Sequence, residues 1–172
     1  MANNVPLTIQ TVLSGNLASQ IVIGTNTLSC DYNANNVYWF VILDRADLSV
    51  KANFTVSANN AVPAQLKPFL NNPQYVLIMT TQKLKSANLP QGPFYDFLIN
   101  EGAGPLLNRA EQIYETLSCG TWGWFSYAYV AVVGDPTTDG FEFLDIYDMA
   151  MVSTLHFFPT TVNGATLYTP AK

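Results

Sequence analysis

Charge is what this sequence has least of. Asp, Glu, Lys and Arg make up 11% of its 172 residues, less than half of the roughly 25% usual in a soluble domain. Seven basic residues stand against twelve acidic ones, a net −5 at pH 7. The basic ones are scattered, which excludes the clustered cations that phosphate backbones require, so nucleic acid is not an expected partner. Lys83 and Lys85 come nearest to a patch; on a strand they share one face, and a solvated edge accounts for them. Histidine occurs once, so a Ser-His-acid triad has only His156 to draw on. That residue lies in an apolar run, Val152 to Phe158, where a half-buried sheet residue is expected. Cys30 and Cys119 are too few and too far apart for a zinc site or a disulfide framework. Two buried free thiols are expected, with one bridge as the alternative in an oxidising compartment.

Long apolar runs are missing as well. The longest, Trp124 to Val133, is about half the ~18 residues a bilayer span needs. The first residues, Met-Ala-Asn-Asn-Val-Pro-Leu-Thr-Ile-Gln, have neither the basic start nor the apolar stretch of a signal peptide. Cytoplasmic synthesis of a soluble chain is expected, with non-classical release also compatible.

What is present is apolar and neutral polar. The chain is 49% hydrophobic and 13% aromatic, which excludes disorder as its main state. At this length it can bury roughly 70% of its unfolded surface in a single domain without staples. Abundant Asn, Thr, Gln and Ser suggest a neutral polar face, as on sugar-binding modules and on proteins that assemble.

Periodicity divides the chain into strands and a few helices. Leu7 to Leu28 alternates apolar with polar residues and is broken at Ser14-Gly15-Asn16 and Gly24-Thr25-Asn26, the pattern of short strands joined by turns. After a polar loop, Asp31 to Asn36, comes Val37 to Leu43, a continuous β-branched and aromatic run that reads as a strand buried on both faces. Asp44 to Asp47 is a turn, and Leu48 to Ser57 is its hairpin partner. Val62, Leu66, Phe69 and Leu70 have helical spacing, cut short by Pro68 and Pro73. Tyr75 to Thr81 is a second buried strand. Phe94, Phe97 and Leu98 share one face of a helix stopped at Gly102-Ala103-Gly104, and Leu106 to Leu117 carries a further apolar stripe. Trp122 to Val133 is an aromatic strand with Trp122, Trp124, Ser126 and Ala128 on one face and Phe125, Tyr127 and Tyr129 on the other. Phe141 to Val152, Leu155 to Phe158 and Ala165 to Tyr168 read as closing strands. The fold class expected is α+β: mostly antiparallel sheets, sandwich-like, with two or three short helices in a single domain over residues 1–172.

The central block, Val37 to about Gly134, resembles the domain of the interleukin-like EMT inducer and pancreatic-derived factor family. The resemblance rests on Trp39-Phe-Val-Ile-Leu43, Val50 to Phe54, Leu66-Lys-Pro-Phe-Leu70, Tyr75-Val-Leu-Ile-Met79, Phe94 to Gly102 and Tyr129-Val-Ala-Val-Val-Gly134. Order and spacing match better than identities. The family places a glycine in its first hairpin turn and acidic residues after the second buried strand, where this chain has Asp44-Arg-Ala-Asp47 and Thr80-Thr-Gln-Lys83. Residues 1–36 and 135–172 lie outside the resemblance and add further strands. It implies a non-enzymatic module, secreted as a signalling factor in animals and similar to carbohydrate-binding stem domains of glycosylation enzymes.

Carboxylates and aromatics are the remaining sources of chemistry. Glu142, Asp145 and Asp148 are close in sequence, but a strand turns Asp145 away from the others, so a solvated edge accounts for them better than a glycosidase pair does. Asp135 and Asp139 flank a turn without the ligand pattern of a calcium loop, and Asn53-Phe54-Thr55 is a glycosylation sequon inside an expected strand. No metal and no cofactor are expected. Sugars stack their C–H faces on Trp and Tyr while amides and carboxylates hydrogen-bond the hydroxyls. The candidate ligand-binding residues are therefore Trp122 and Trp124, with Asn33, Asn35 and Asn36 as polar partners, although core packing also explains two tryptophans in one strand. The expectation is a non-enzymatic, lectin-like carbohydrate-binding module. The alternative is a self-assembling structural protein, a homo-oligomer, filament, tube, shell or array joined through strand edges and low-charge surfaces. Its partner is a glycan in the first case and other copies of itself in the second.

Overall fold

The computed structural model describes residues 3–116, 123–135, 140–146 and 148–172, with the backbone alone at 114–116. The two runs read as doubly buried are strands β4 (Val37–Asp44) and β6 (Tyr75–Gln82), paired antiparallel from Val37↔Gln82 to Asp44↔Tyr75. Two opposite layers bury them. Tyr38, Phe40, Ile42, Leu77 and Met79 face helices α1 (Gly92–Asn100) and α2 (Pro105–Thr116), while Trp39, Val41, Leu43, Val76 and Ile78 face a second sheet. A central strand with no solvated face has no place for the polar half of an alternating pattern, which is why these runs are almost wholly apolar.

The remaining strands complete an antiparallel central layer of six strands and an antiparallel outer layer of five. Four belong with the central pair: β5 (Val50–Val56) pairs with β4, β8 (Trp124–Val132) pairs with β6, β9 (Phe141–Asp145) pairs with β8, and the two-residue β7 (Leu84–Lys85) pairs with the start of β8. The outer sheet runs β3 (Asn26–Ser29), β2 (Gln20–Ile23), β1 (Val5–Val12), β10 (Ala150–Val162) and β11 (Ala165–Ala171). The layers join at one parallel contact, Val12↔Gln82. Leu7, Ile9, Ile21, Leu155 and Phe157 of the outer sheet enclose one core against the central sheet, and the helices enclose a second. The result is a single α+β domain of helices, sheet and sheet. Segments 37–134 supply the helices and all of the central sheet except β9; the two flanks supply the outer sheet.

The joint between layers is polar and buried. Gln82 Oε1 accepts from Ser19 N at 2.7 Å and Ser19 Oγ at 2.8 Å, and Gln82 Nε2 donates to Leu17 O at 3.1 Å. Arg45, in the turn after β4, is 4% exposed. Its guanidinium donates to Pro73 O, Tyr168 O and Thr169 Oγ1 at 2.7–2.8 Å and so ties three chain segments together.

Three local expectations change. The helical spacing over 62–70 yields only a 3-10 turn, Ala64–Leu66, since Pro63 and Pro68 leave no room for i→i+4 bonds. The first closing strand ends at Asp145 rather than Val152, and the next, β10, starts at Ala150 and runs through Leu155–Phe158 to Val162. Pro159 is tolerated because β10 changes partner there: β1 pairs only up to Phe157, and β11 takes over from His156 onward. Lys83 has a left-handed backbone (φ 49°) that ends β6, so Lys83 and Lys85 belong to no common strand.

Candidate functional site

Trp124 opens β8, where the chain is still close to solvent, and is half-buried. Its cross-strand partner is Lys85, whose ammonium lies 5.7 Å from the indole centroid, close enough for a cation–π contact. Lys85, Ser86, Ala87, Gly123 and Trp124 line a cleft of about 250 Å³. That is below the ~300–1,000 Å³ of sites for drug-sized ligands and suits one small ring.

The asparagine loop docks beside this cleft. Asn36 takes a left-handed conformation (φ 60°), its N–H donates to Lys83 O at 3.0 Å, and its Oδ1 accepts from Lys85 N at 3.0 Å. Lys83 Nζ reaches Tyr32 O at 3.0 Å, fastening the same loop from its other end. Thus Asn36 and Trp124 flank Lys85 on two sides, one through the backbone and one through the strand register. Asn33 and Asn35 are exposed, and the Asn33 N–H is bound by Asp31 Oδ1 at 2.9 Å. None of the three asparagines lines the cleft itself. Trp122 lies outside the described residues, as do Cys119 and Asp139.

A second concavity, about 380 Å³, was not legible from the sequence: Leu70, Asn71, Pro93, Asp96, Phe97, Asn100 and Glu101 line it where α1 meets the turn before β6. Burial raises the Glu101 carboxyl above its ordinary value, against a lowering by the Gly134 N–H, which donates to it at 2.7 Å. Helical spacing on α1 brings Asp96, Phe97 and Asn100 together, but Asn71 arrives from a distant turn with φ 57°, which no periodicity announces.

Carboxylates and histidine do not assemble a catalytic centre among the described residues. Glu142 sits on the edge strand β9, but its carboxylate is not simply solvated, as its spacing suggested. Its oxygens accept from Leu106 N at 3.1 Å, Leu107 N at 2.9 Å and Tyr127 Oη at 2.7 Å, so it caps the first turn of α2 from a neighbouring strand. Asp145 Oδ1 accepts from Asp148 N at 3.4 Å in the turn after β9. His156, expected half-buried, is exposed on the outer sheet, in register with Pro6 and Ala171. Cys30 is a buried free thiol, pushed up to about 11 by burial first of all, which keeps it protonated and unreactive at neutral pH. Asn53, the sequon asparagine, accepts from Trp39 Nε1 at 2.7 Å. No helix among the described residues is long and apolar enough to cross a membrane.

Fold and site together define a class: a layered α+β domain with small surface clefts, one of them edged by an indole and a lysine. The sequence matches no model of a known protein family and none of the curated proteins with which it was compared.

Proposed function

We propose that this chain is a non-catalytic recognition module that binds carbohydrate through the cleft at Trp124. One observation carries the proposal: a half-exposed indole borders a cleft the size of a single ring, with Lys85 and Ser86 in its wall and the Asp31–Asn36 loop anchored alongside. Indole faces take sugar C–H groups, and the ammonium and hydroxyl serve the ring oxygens. The likeness to the interleukin-like EMT inducer family supports the same reading. The segments that carry it correspond to β4, β5, the 3-10 turn, β6, α1 and β8, a part of the central sheet and of its helical cover.

The test is a glycan array followed by calorimetry on the best hit, with the wild type, Trp124→Ala and Trp122→Ala. Trp124→Ala is expected to weaken binding about tenfold or more while the circular dichroism spectrum is retained. Binding unchanged in Trp124→Ala overturns this site, and loss in Phe97→Ala instead moves it to the larger concavity beside α1.

A further inference from the structure

All charged side chains of this protein except Lys172 lie between Asp31 and Asp148. The fold gathers the two uncharged ends of the chain into one layer. The five strands of the outer sheet, β3-β2-β1-β10-β11, contain no Asp, Glu, Lys or Arg. Their inward residues fill the core; their outward residues, read across the register, make rows of Ser29, Gln20, Gln10 and Val152, then Thr27, Val22, Thr8 and Thr154, then Pro6 and His156. Every one of these is half-buried or exposed, and no element of the described chain covers them. Of the exposed large apolar side chains, Met149 and Val152 lie at the end of this face where β1 finishes, and Leu17 is in the loop that follows β1.

We propose that this face docks a second copy of the chain, sheet against sheet about a two-fold axis. In a two-fold contact each patch meets itself, so a charge near the axis meets the same charge, and a face free of charge is what self-contact requires. A protein at −5 would otherwise repel its copy. A basic, acidic or nucleic-acid partner finds nothing complementary here. Edge-to-edge joining is less suited, because β3 has four residues, β5 carries Lys51, β9 carries Glu142 and Asp145, and β11 is interrupted by Pro170. Five strands at about 4.8 Å spacing and some seven residues of about 3.3 Å give a footprint of roughly 550 Å². That is short of the ~800 Å² per partner of a stable interface, so the dimer is weak and exchanges rapidly. Its closed symmetry stops growth at two copies. This inference does not rest on the carbohydrate reading.

The experiment is sedimentation velocity from about 5 μM to 1 mM, the range in which a dimer of this footprint dissociates. Variants are Thr8→Glu and Thr8→Lys at the centre of the face, Thr154→Glu as a second position, and Val50→Glu on the other sheet as control, each checked for folding by thermal melt. The wild type and Val50→Glu are expected to form a concentration-dependent dimer. Each charged variant on the face is expected to weaken it tenfold or more, and an equimolar mixture of Thr8→Glu and Thr8→Lys is expected to restore it. A wild type that stays monomeric throughout overturns the proposal. So does a dimer indifferent to charge on the face, or one lost in Val50→Glu. If the Thr8 variants fail to fold, Thr154→Glu decides alone.

Discussion

Glu101 shows how one side chain couples the larger concavity to pH. It follows the last turn of α1, where the helix dipole disfavours a negative charge, and its main-chain oxygen accepts from the Tyr129 hydroxyl. Because burial raises its folded-state value above the unfolded one, folding takes up protons. The stabilisation is therefore fully present below the ordinary glutamate range and is lost as pH rises through the folded-state value. Glu101→Gln keeps an acceptor for Gly134 N and removes the charge. The variant is expected to match the wild type in urea unfolding at about pH 3.5 and to exceed it at about pH 7, where only the wild type carries the half-buried charge. Equal midpoints at both pH values would contradict the assignment. Arg45 makes the complementary point about legibility: Asp-Arg-Ala-Asp reads as a solvated turn, and three acceptors from distant segments bury the arginine within it.

At the scale of elements, α2 depends on a residue outside itself. Its first turn carries no acidic side chain, and Pro105 covers only the N1 position. Glu142, on β9, supplies the cap and also accepts from the buried Tyr127 hydroxyl. Glu142→Ala is expected to destabilise the protein by about 2 kcal/mol or more, a lost cap plus an orphaned hydroxyl. The readout is the denaturant midpoint, together with faster amide exchange at Leu106 and Leu107. A change confined to β9 would instead point to a strand effect. The helix stripes and strand alternation were legible because each repeats locally. The cap was not, because its partners lie 35 and 36 residues apart in sequence.

For the whole molecule, layering sets the order of stability. β4, β6 and β8 are covered on both faces, whereas β3 and β5 are edge strands with mostly exposed residues. Hydrogen exchange is expected to report global unfolding at Phe40, Ile78 and Val130. Earlier local opening is expected at β3 and at the far end of the β10–β11 hairpin, which pairs beyond β1. Exchange in β6 as early as in β3 would mean that the layers separate before the chain unfolds.

The sequence alone determined what local repetition can encode. The alternating stretch from Leu7 to Leu28, the two unbroken apolar runs, the glycine-stopped α1 and the opposite faces of Ala128 and of Phe125, Tyr127 and Tyr129 on β8 match the fold, because side-chain period follows from backbone geometry. The candidate site was half legible. Trp124 and the Asn33–Asn36 loop could be named, but that the loop docks on Lys83 and Lys85 follows from a left-handed turn at Lys83 and a strand register, neither encoded in any short window. The uncharged ends were equally visible in the sequence and had no meaning there. Only antiparallel pairing of β1 with β10, across some 140 residues, makes them a single face, since sheets gather residues by register and not by sequence proximity.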